Sequence, residues 1–462
     1  MMVSKQHPAS FRDPAGFMFE YGEKFYRQVN QSYAANYTLL KYSGLYDQLV
    51  KENKLLAHTE IDACITEYTN WYKTLLPEQL TFISYPYEWC FSQWKDAALL
   101  TLSILKISVL HGMILKDATP FNIQFVKGSP VLIDTLSFEK YDATKPWIAY
   151  RQFVECFIAP LLLARYQSPE LLKFFRLYPD GIPLKILVNL LPLKSKFNLN
   201  VLLHIILPAS IWGNKKTATK TTTAFNKQKL LHIIDNLISF VLSVKLPAAV
   251  TNWNNYYEET VFSSEYVEEK IKTLKEWIQL LPVNSVLDIG TNTGLFAQMT
   301  AAEGKFTVAV DADIDCIDRL YNTCKRDKIT NLLPLCVDVT NPTPSIGWDN
   351  DERDAFYPRA KADLCMALAL IHHLAIGKNV GFTQMARTFS KIAPWLIIEF
   401  IPKTDSKIAL LLQNRTDIFE TYNELSFTNV FEKIFTIEKK EVLTNTGRIL
   451  FLMKRKVTTP GI

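Results

Sequence analysis

A chain of 462 residues is too long for one ordinary core, so two or three domains are expected. Its apolar content of 48% is that of a folded protein, and its net charge of +5 is too small to argue by itself for a nucleic-acid binder. The seven cysteines are scattered, odd in number and without C-x-x-C pairing, which argues against a disulfide framework and for reduced, mostly buried thiols in a cytoplasmic protein. The first thirty residues carry no signal-peptide pattern.

The chain begins with a polar stretch to Ala15. Phe17–Val29 then reads as a hairpin around Gly22. Two short helices are expected over 33–53, divided at Gly44, because Tyr33, Tyr37 and Leu40 share one helical face and Tyr46, Leu49 and Val50 another. Leu80–Tyr87 reads as a short strand ending near Pro86. A largely buried helix follows over about Ser92–Met113, with Ala98, Leu99, Leu102, Leu105 and Val109 on one face.

The next stretch carries chemistry. Asp117 and Asn122 stand five apart in Leu115-Lys116-Asp117-Ala118-Thr119-Pro120-Phe121-Asn122, and Asp134 closes a strand after a turn at Lys127-Gly128. The pattern resembles the catalytic loop and metal-binding strand of the protein-kinase-like and aminoglycoside-phosphotransferase-like fold. The resemblance implies Asp117 as the base that orients a hydroxyl, and Asn122 and Asp134 as magnesium ligands serving Mg-ATP. There are departures. Lys116 stands where protein kinases carry arginine, and Thr135-Leu136 replaces Phe-Gly. The first hairpin is not a glycine-rich phosphate loop, and Arg27 is the nearest basic candidate for the strand lysine. Taken singly, these three residues also fit turn caps and a hairpin end.

Residues 146–250 are expected to be mostly helical and apolar. Phe197–Gly213 is uncharged, but it is short for a membrane span and holds Asn198, Asn200, His204 and Pro208. Buried helices of the first domain are the main reading, and a surface helix touching a membrane is the other. The Thr-rich basic stretch 213–228 reads as a loop. A break at Leu246-Pro247 ends the first domain, so domains of 1–250 and 251–462 are expected.

The second domain opens with an amphipathic helix, Ser263–Leu280, and then carries Val286-Leu287-Asp288-Ile289-Gly290-Thr291-Asn292-Thr293-Gly294. This is a buried strand, a tight turn and the start of a helix. Its D-x-G-x-x-x-G spacing is not the dinucleotide fingerprint, and an acid before the first glycine suits an amine better than a pyrophosphate. Asp311 ends the next apolar run 23 residues on, placed to hold two ribose hydroxyls, and Asp338 ends the third. Each Asp alone also fits an ordinary strand end.

Residues 284–454 resemble the class I S-adenosylmethionine-dependent methyltransferases. The matching pieces are the turn just quoted, Val310-Asp311-Ala312-Asp313 and Val337-Asp338-Val339. The family usually has a third glycine where Asn292 stands. The resemblance implies a Rossmann-like α/β domain with a mostly parallel seven-stranded sheet, preceded here by the α+β kinase-like domain with its helical lobe. It implies S-adenosylmethionine held by Asp288, Gly290, Thr291, Asn292, Gly294, Asp311, Ala312, Asp338, Val339 and Leu368.

The fourth strand, Ala362–Leu368, runs into Ala369-Leu370-Ile371-His372-His373. No Asn/Asp-Pro-Pro-Tyr/Phe motif stands there, and no Pro-Cys motif. His372 and His373 are the candidate general bases, against the reading that one packs on the sheet and the other caps a turn. Glu399 ends the fifth strand and faces the ligand edge if the strand order is standard. Asp405 and Ser406 begin a helix, Arg415, Asp417, Phe419, Tyr422 and Phe427 form a possible lid, and Phe435–Lys439 with Arg448–Lys454 forms an edge hairpin. No residue spacing is diagnostic of a metal site here. The expected activity is methyl transfer to an acceptor left open among protein, RNA, small metabolite and lipid. The alternatives are a phosphotransferase in the first half and a binding or scaffold protein with vestigial domains. No transmembrane span is expected, though peripheral membrane contact is allowed.

Overall fold

The computed structural model describes residues 4–212, 226–247, 264–413 and 416–457. Residues 213–225 of the Thr-rich stretch, and Arg415, lie outside them. The chain forms two compact units, Met1–Ala249 with Ile346–Arg353, and Val250–Ser345 with Asp354–Ile462.

The first unit starts with an antiparallel sheet of five strands in the order β1-β2-β3-β5-β4. They are β1 (Lys5–Gln6), β2 (Gly16–Tyr21), β3 (Lys24–Asn30), β4 (His58–Ile61) and β5 (Trp71–Pro77). The β2–β3 hairpin turns at Gly22 and Glu23, both at positive φ. Between β3 and β4 stand α1 (Ala34–Tyr42) and α2 (Leu45–Lys51), separated by Gly44 at φ 77°. Leu80–Tyr87, read as a strand, is not one. The Gln124 side chain binds the Ser84 backbone on both sides, accepting from its N–H at 2.8 Å and donating to its carbonyl at 2.9 Å, so this backbone is satisfied without a sheet partner.

The buried helix α3 (Phe91–Leu110) leads into β6 (Met113–Leu115), the hairpin β7 (Ile123–Val126) and β8 (Ser129–Leu132), and β9 (Phe138–Lys140), which pairs with β6. The rest is helical. α4 (Tyr150–Phe153) continues through a π-helical turn into α5 (Ala159–Tyr166), followed by α6 (Leu184–Leu190). α7 (Leu199–Val201) continues through a π-helical turn at Leu202–Ile206 into α8 (Leu207–Trp212). Last comes α9 (Lys227–Ser243). Glu352 and Arg353 belong to this unit: Glu352 pairs with Arg12 at 2.5 Å, and the Arg353 guanidinium lies 3.8 Å from the Phe121 ring centroid.

The second unit opens with α10 (Ser264–Leu280). Its strands and helices then follow as β10 (Ser285–Ile289), α11 (Leu295–Ala302), β11 (Phe306–Asp311), α12 (Ile314–Asp327) and β12 (Leu332–Cys336). α13 (Phe356–Arg359), β13 (Leu364–Ala367), α14 (Phe382–Ile392), β14 (Trp395–Phe400) and α15 (Ser406–Leu412) come next. α16 (Glu424–Phe431), β15 (Phe435–Val442) and β16 (Ile449–Arg455) complete it. The sheet order is β12-β11-β10-β13-β14-β16-β15, with the first five strands parallel and β16 antiparallel to both neighbours. The order reverses between β10 and β13, and such a switch point opens a crevice at the carboxyl ends of parallel strands. Leu274, Trp277 and Ile278 of α10 pack with Val286, Leu364, Met366 and Ile397 of the sheet. All seven cysteines are free, and only Cys64 is exposed.

Candidate functional site

The turn after β10 is built by backbone geometry. Gly290 and Gly294 lie at φ 75° and 83°, and Asn292 between them at φ 52°. Asparagine tolerates that conformation better than most residues, which is how the turn forms without a third glycine. The N–H groups of Gly290 and Thr291 both donate to the Val310 carbonyl, at 2.9 and 3.1 Å. Asp288 is almost wholly buried and accepts from the Thr291 hydroxyl at 2.6 Å. Burial lifts its carboxyl to about 6, against the opposing Thr291 hydrogen bond. Asp288 therefore braces the turn from beneath.

Asp311, at the end of β11, closes the other side. One carboxylate oxygen accepts from the Asn292 N–H at 2.8 Å and the other from the Asp313 N–H at 2.9 Å. Burial raises its pKa, while these N–H groups hold it down. Each oxygen keeps a second lone pair. Asp313 caps α12 through the N–H groups of Asp315 and Cys316. Ala312 lies between the two acids. Asp338, two residues past β12, accepts from the backbone N–H and hydroxyl of Thr340, and the neighbouring Val339 carbonyl takes the Tyr357 hydroxyl at 2.8 Å. Leu368 is buried just after β13.

The carboxyl end of β14 differs from expectation. Glu399, read as facing the ligand edge, is fully buried. It accepts from Lys270 at 2.6 Å, from the Tyr266 hydroxyl at 2.8 Å and from the Ala369 N–H at 2.8 Å. Arg448 lies 3.7 Å from it and donates to Asp405 at 2.8 Å. Burial would raise the Glu399 pKa, but Lys270 and Arg448 outweigh it and hold the carboxyl ionised. Through the Ala369 N–H, Glu399 clamps the loop after β13, where Ala369 takes a positive φ of 48°, and Leu370 of that loop borders Gly290.

His372 is fully buried, and neither ring nitrogen has a hydrogen-bond partner. Its ring lies 4.0 Å from that of His373, centroid to centroid. Burial drives the pKa of His372 well below its usual value and that of His373 to about 4, helped by Arg448 and Lys407. Both are neutral at neutral pH. Of the two, only the partly exposed His373 is reachable.

In the first unit, Asp117, Asn122 and Asp134 converge. The Asn122 amide donates to Asp117 at 3.1 Å and to the Ser137 hydroxyl at 3.2 Å, and Ser137 donates to Asp134. Arg27 on β3 pairs with the other Asp134 oxygen at 2.5 Å, where the Leu136 N–H also donates. Burial, then the charge of Asp134, raises the Asp117 pKa. Among the described residues no group of three or more His, Cys, Asp or Glu is arranged to hold a metal ion.

No protein-family model matches the chain. Over 456 residues it is 29% identical to the nodulation protein NoeA of Rhizobium meliloti (strain 1021), an alignment spanning 96% of this chain and 95% of that protein. Magnesium protoporphyrin IX methyltransferase (ChlM) from Synechocystis PCC 6803 with bound SAH matches 44% of the chain and 93% of its own, at 14% identity and TM-score 0.34. The bifunctional kinase-methyltransferase WbdD matches 46% of the chain at 14% identity and TM-score 0.30, and the match spans 45% of WbdD. The second unit's seven-stranded mixed sheet is Rossmann-like in its strand order.

Tyr266 lies buried on the apolar face of α10, as its spacing in the sequence predicts, but its bond to Glu399, and the roles of Lys270 and Arg448, were not foreseen. One signal was available. Lys270 stands four residues after Tyr266 and four before Leu274, on the apolar stripe of α10, and a lysine there must be paired when buried. Arg448 gave no such sign, because a hairpin end is an ordinary place for arginine.

Gly294 is held to glycine twice over, by its φ and by buried Leu320, whose side chain would lie 2.4 Å from an added Cβ. Gly294→Ala is expected to cost about 1–3 kcal/mol, read as a lowered urea midpoint. A pH effect is also expected. His373 is depressed to about 4 in the fold against 6.5 for a free imidazole, so the unfolded chain binds its proton first. Its contribution is full above the unfolded pKa and is lost as pH falls toward the folded value. Wild type should therefore lose up to about 3 kcal/mol more than His373→Gln between about pH 7 and about pH 4, by urea unfolding at each pH.

Proposed function

We propose that the second unit binds S-adenosylmethionine and is a methyltransferase. The observation that carries this reading is Asp311. Its carboxylate is fixed by two backbone N–H groups, one from the glycine-Asn turn and one from its own strand end, with lone pairs left for a pair of vicinal hydroxyls. The residues fit the cofactor. An added Cβ at Gly290 would lie 3.1 Å from Leu370, so glycine keeps the backbone open there. Buried Asp288 supplies negative potential near an ammonium group, and Asp338 with Val339 borders the third strand end.

When bound, S-adenosylmethionine supplies an electrophilic methyl group. The chain's part is then mainly to hold donor and acceptor in line and to keep water away. Glu399 is a positioning residue in this account, holding Ala369 and so the loop that carries both histidines. His373 is the residue assigned to take a proton from the acceptor, since it is the reachable one of the pair. The test is thermal unfolding with S-adenosylmethionine, S-adenosylhomocysteine, NAD or Mg-ATP. At about 100 times Kd a true ligand adds about 2.7 kcal/mol. The first two should raise the second unit's transition and NAD should not. A shift by NAD alone would overturn the assignment.

A second reading concerns the first unit, which we propose to be kinase-like. Its support is the convergence of Asp117, Asn122 and Asp134, with Arg27 reaching them from β3. The fit to magnesium is poor, because Arg27, Ser137 and Leu136 already occupy the Asp134 oxygens. The unit is accordingly read as a binding lobe rather than a phosphate-transferring one, and the Mg-ATP arm of the same experiment tests it.

A further inference from the structure

From 181 to 234, between Asp180 and Asp235, the sequence holds eight lysines and no Asp or Glu. The described part of this stretch also carries an unusual apolar face. Leu199, Leu203, Leu207 and Ile211 recur every fourth residue through α7, the π-helical turn and α8, and they are 45–66% exposed. Leu193 and Phe197, just before the helix, are more exposed still, Phe197 at 91%. Residues four apart lie on one helical face, so this is one stripe rather than scattered leucines.

The roll of the helix is fixed from the other side. His204 is buried, with Nδ1 2.6 Å from the Tyr150 hydroxyl and Nε2 2.6 Å from Asn236 of α9. Val201 and Ile205 are buried beside it. A helix locked by hydrogen bonds on one face presents the opposite face by construction. Exposed Lys185, Lys194 and Lys196 accompany the stripe.

We propose that this face docks the chain on an anionic lipid surface, with the leucines and Phe197 entering the headgroup boundary and Lys185, Lys194 and Lys196 meeting lipid phosphates. The charge selects this occupant. A twofold dimer through the same face would set lysine against lysine with no acid to relieve them. A nucleic acid would leave the aliphatic stripe unused. Among the described residues no helix is long and apolar enough to cross a membrane, so contact is interfacial.

The test is co-sedimentation of the full-length chain with phosphatidylcholine vesicles, with and without phosphatidylglycerol. Wild type should bind the anionic vesicles and lose binding in high salt. Leu203→Glu/Leu207→Glu and Lys194→Glu/Lys196→Glu should each weaken binding by roughly tenfold or more. Circular dichroism melting should leave both variants at wild-type stability, because the altered side chains are exposed. The proposal is overturned if wild type ignores anionic vesicles, or if the folded variants bind as well as wild type. It is also overturned if sedimentation equilibrium shows a dimer that Leu203→Glu/Leu207→Glu dissociates.

Discussion

Asp311→Ala should weaken S-adenosylmethionine binding by roughly 100-fold or more, with the fold retained at a stability cost of about 1–3 kcal/mol. Two charge-assisted hydrogen bonds to ribose hydroxyls would go, each worth about 1.5–3 kcal/mol. The Asn292 N–H would also lose its acceptor, and with it the brace on the left-handed turn. Asp311→Asn keeps one oxygen and should fall between. Calorimetric titration of both variants, with melting curves as controls, reads the effect. Wild-type affinity in Asp311→Ala would remove Asp311 from the site.

Glu399→Ala should be the most destabilising single change, by about 3–5 kcal/mol. It would strand Lys270, almost wholly buried, leave Arg448 with Asp405 as its one carboxylate partner, and leave the Ala369 N–H without an acceptor. Lys270→Met should also destabilise. The double variant Glu399→Ala/Lys270→Met should cost clearly less than the sum, because the second change removes a charge that the first has orphaned. Urea unfolding of the four proteins by circular dichroism gives the coupling. Additive losses would show that the two groups do not act as a pair.

The strand, turn and helix around Asp288 were legible because their signals are local. Val286, Leu287 and Ile289 announce a buried strand, and Gly290, Asn292 and Gly294 announce positive φ. The place of Asp311 at the end of β11 was legible from the apolar run before it. What escaped was whatever depends on distant partners. Glu399 ends its strand as expected, but its role is set by Lys270, 129 residues away, and by Arg448 near the end of the chain. The Leu80–Tyr87 strand failed for the same reason, since the Gln124 side chain takes the hydrogen bonds that a neighbouring strand would have supplied. β5, missed altogether, is a central strand whose pairing with β3 and β4 is likewise long-range.

The most direct measurement is calorimetric titration of S-adenosylmethionine into the purified wild-type chain. Saturable binding at one site is expected, with S-adenosylhomocysteine competing for it. A folded chain that takes up neither compound would contradict the methyltransferase assignment and leave the seven-stranded sheet without its proposed cofactor.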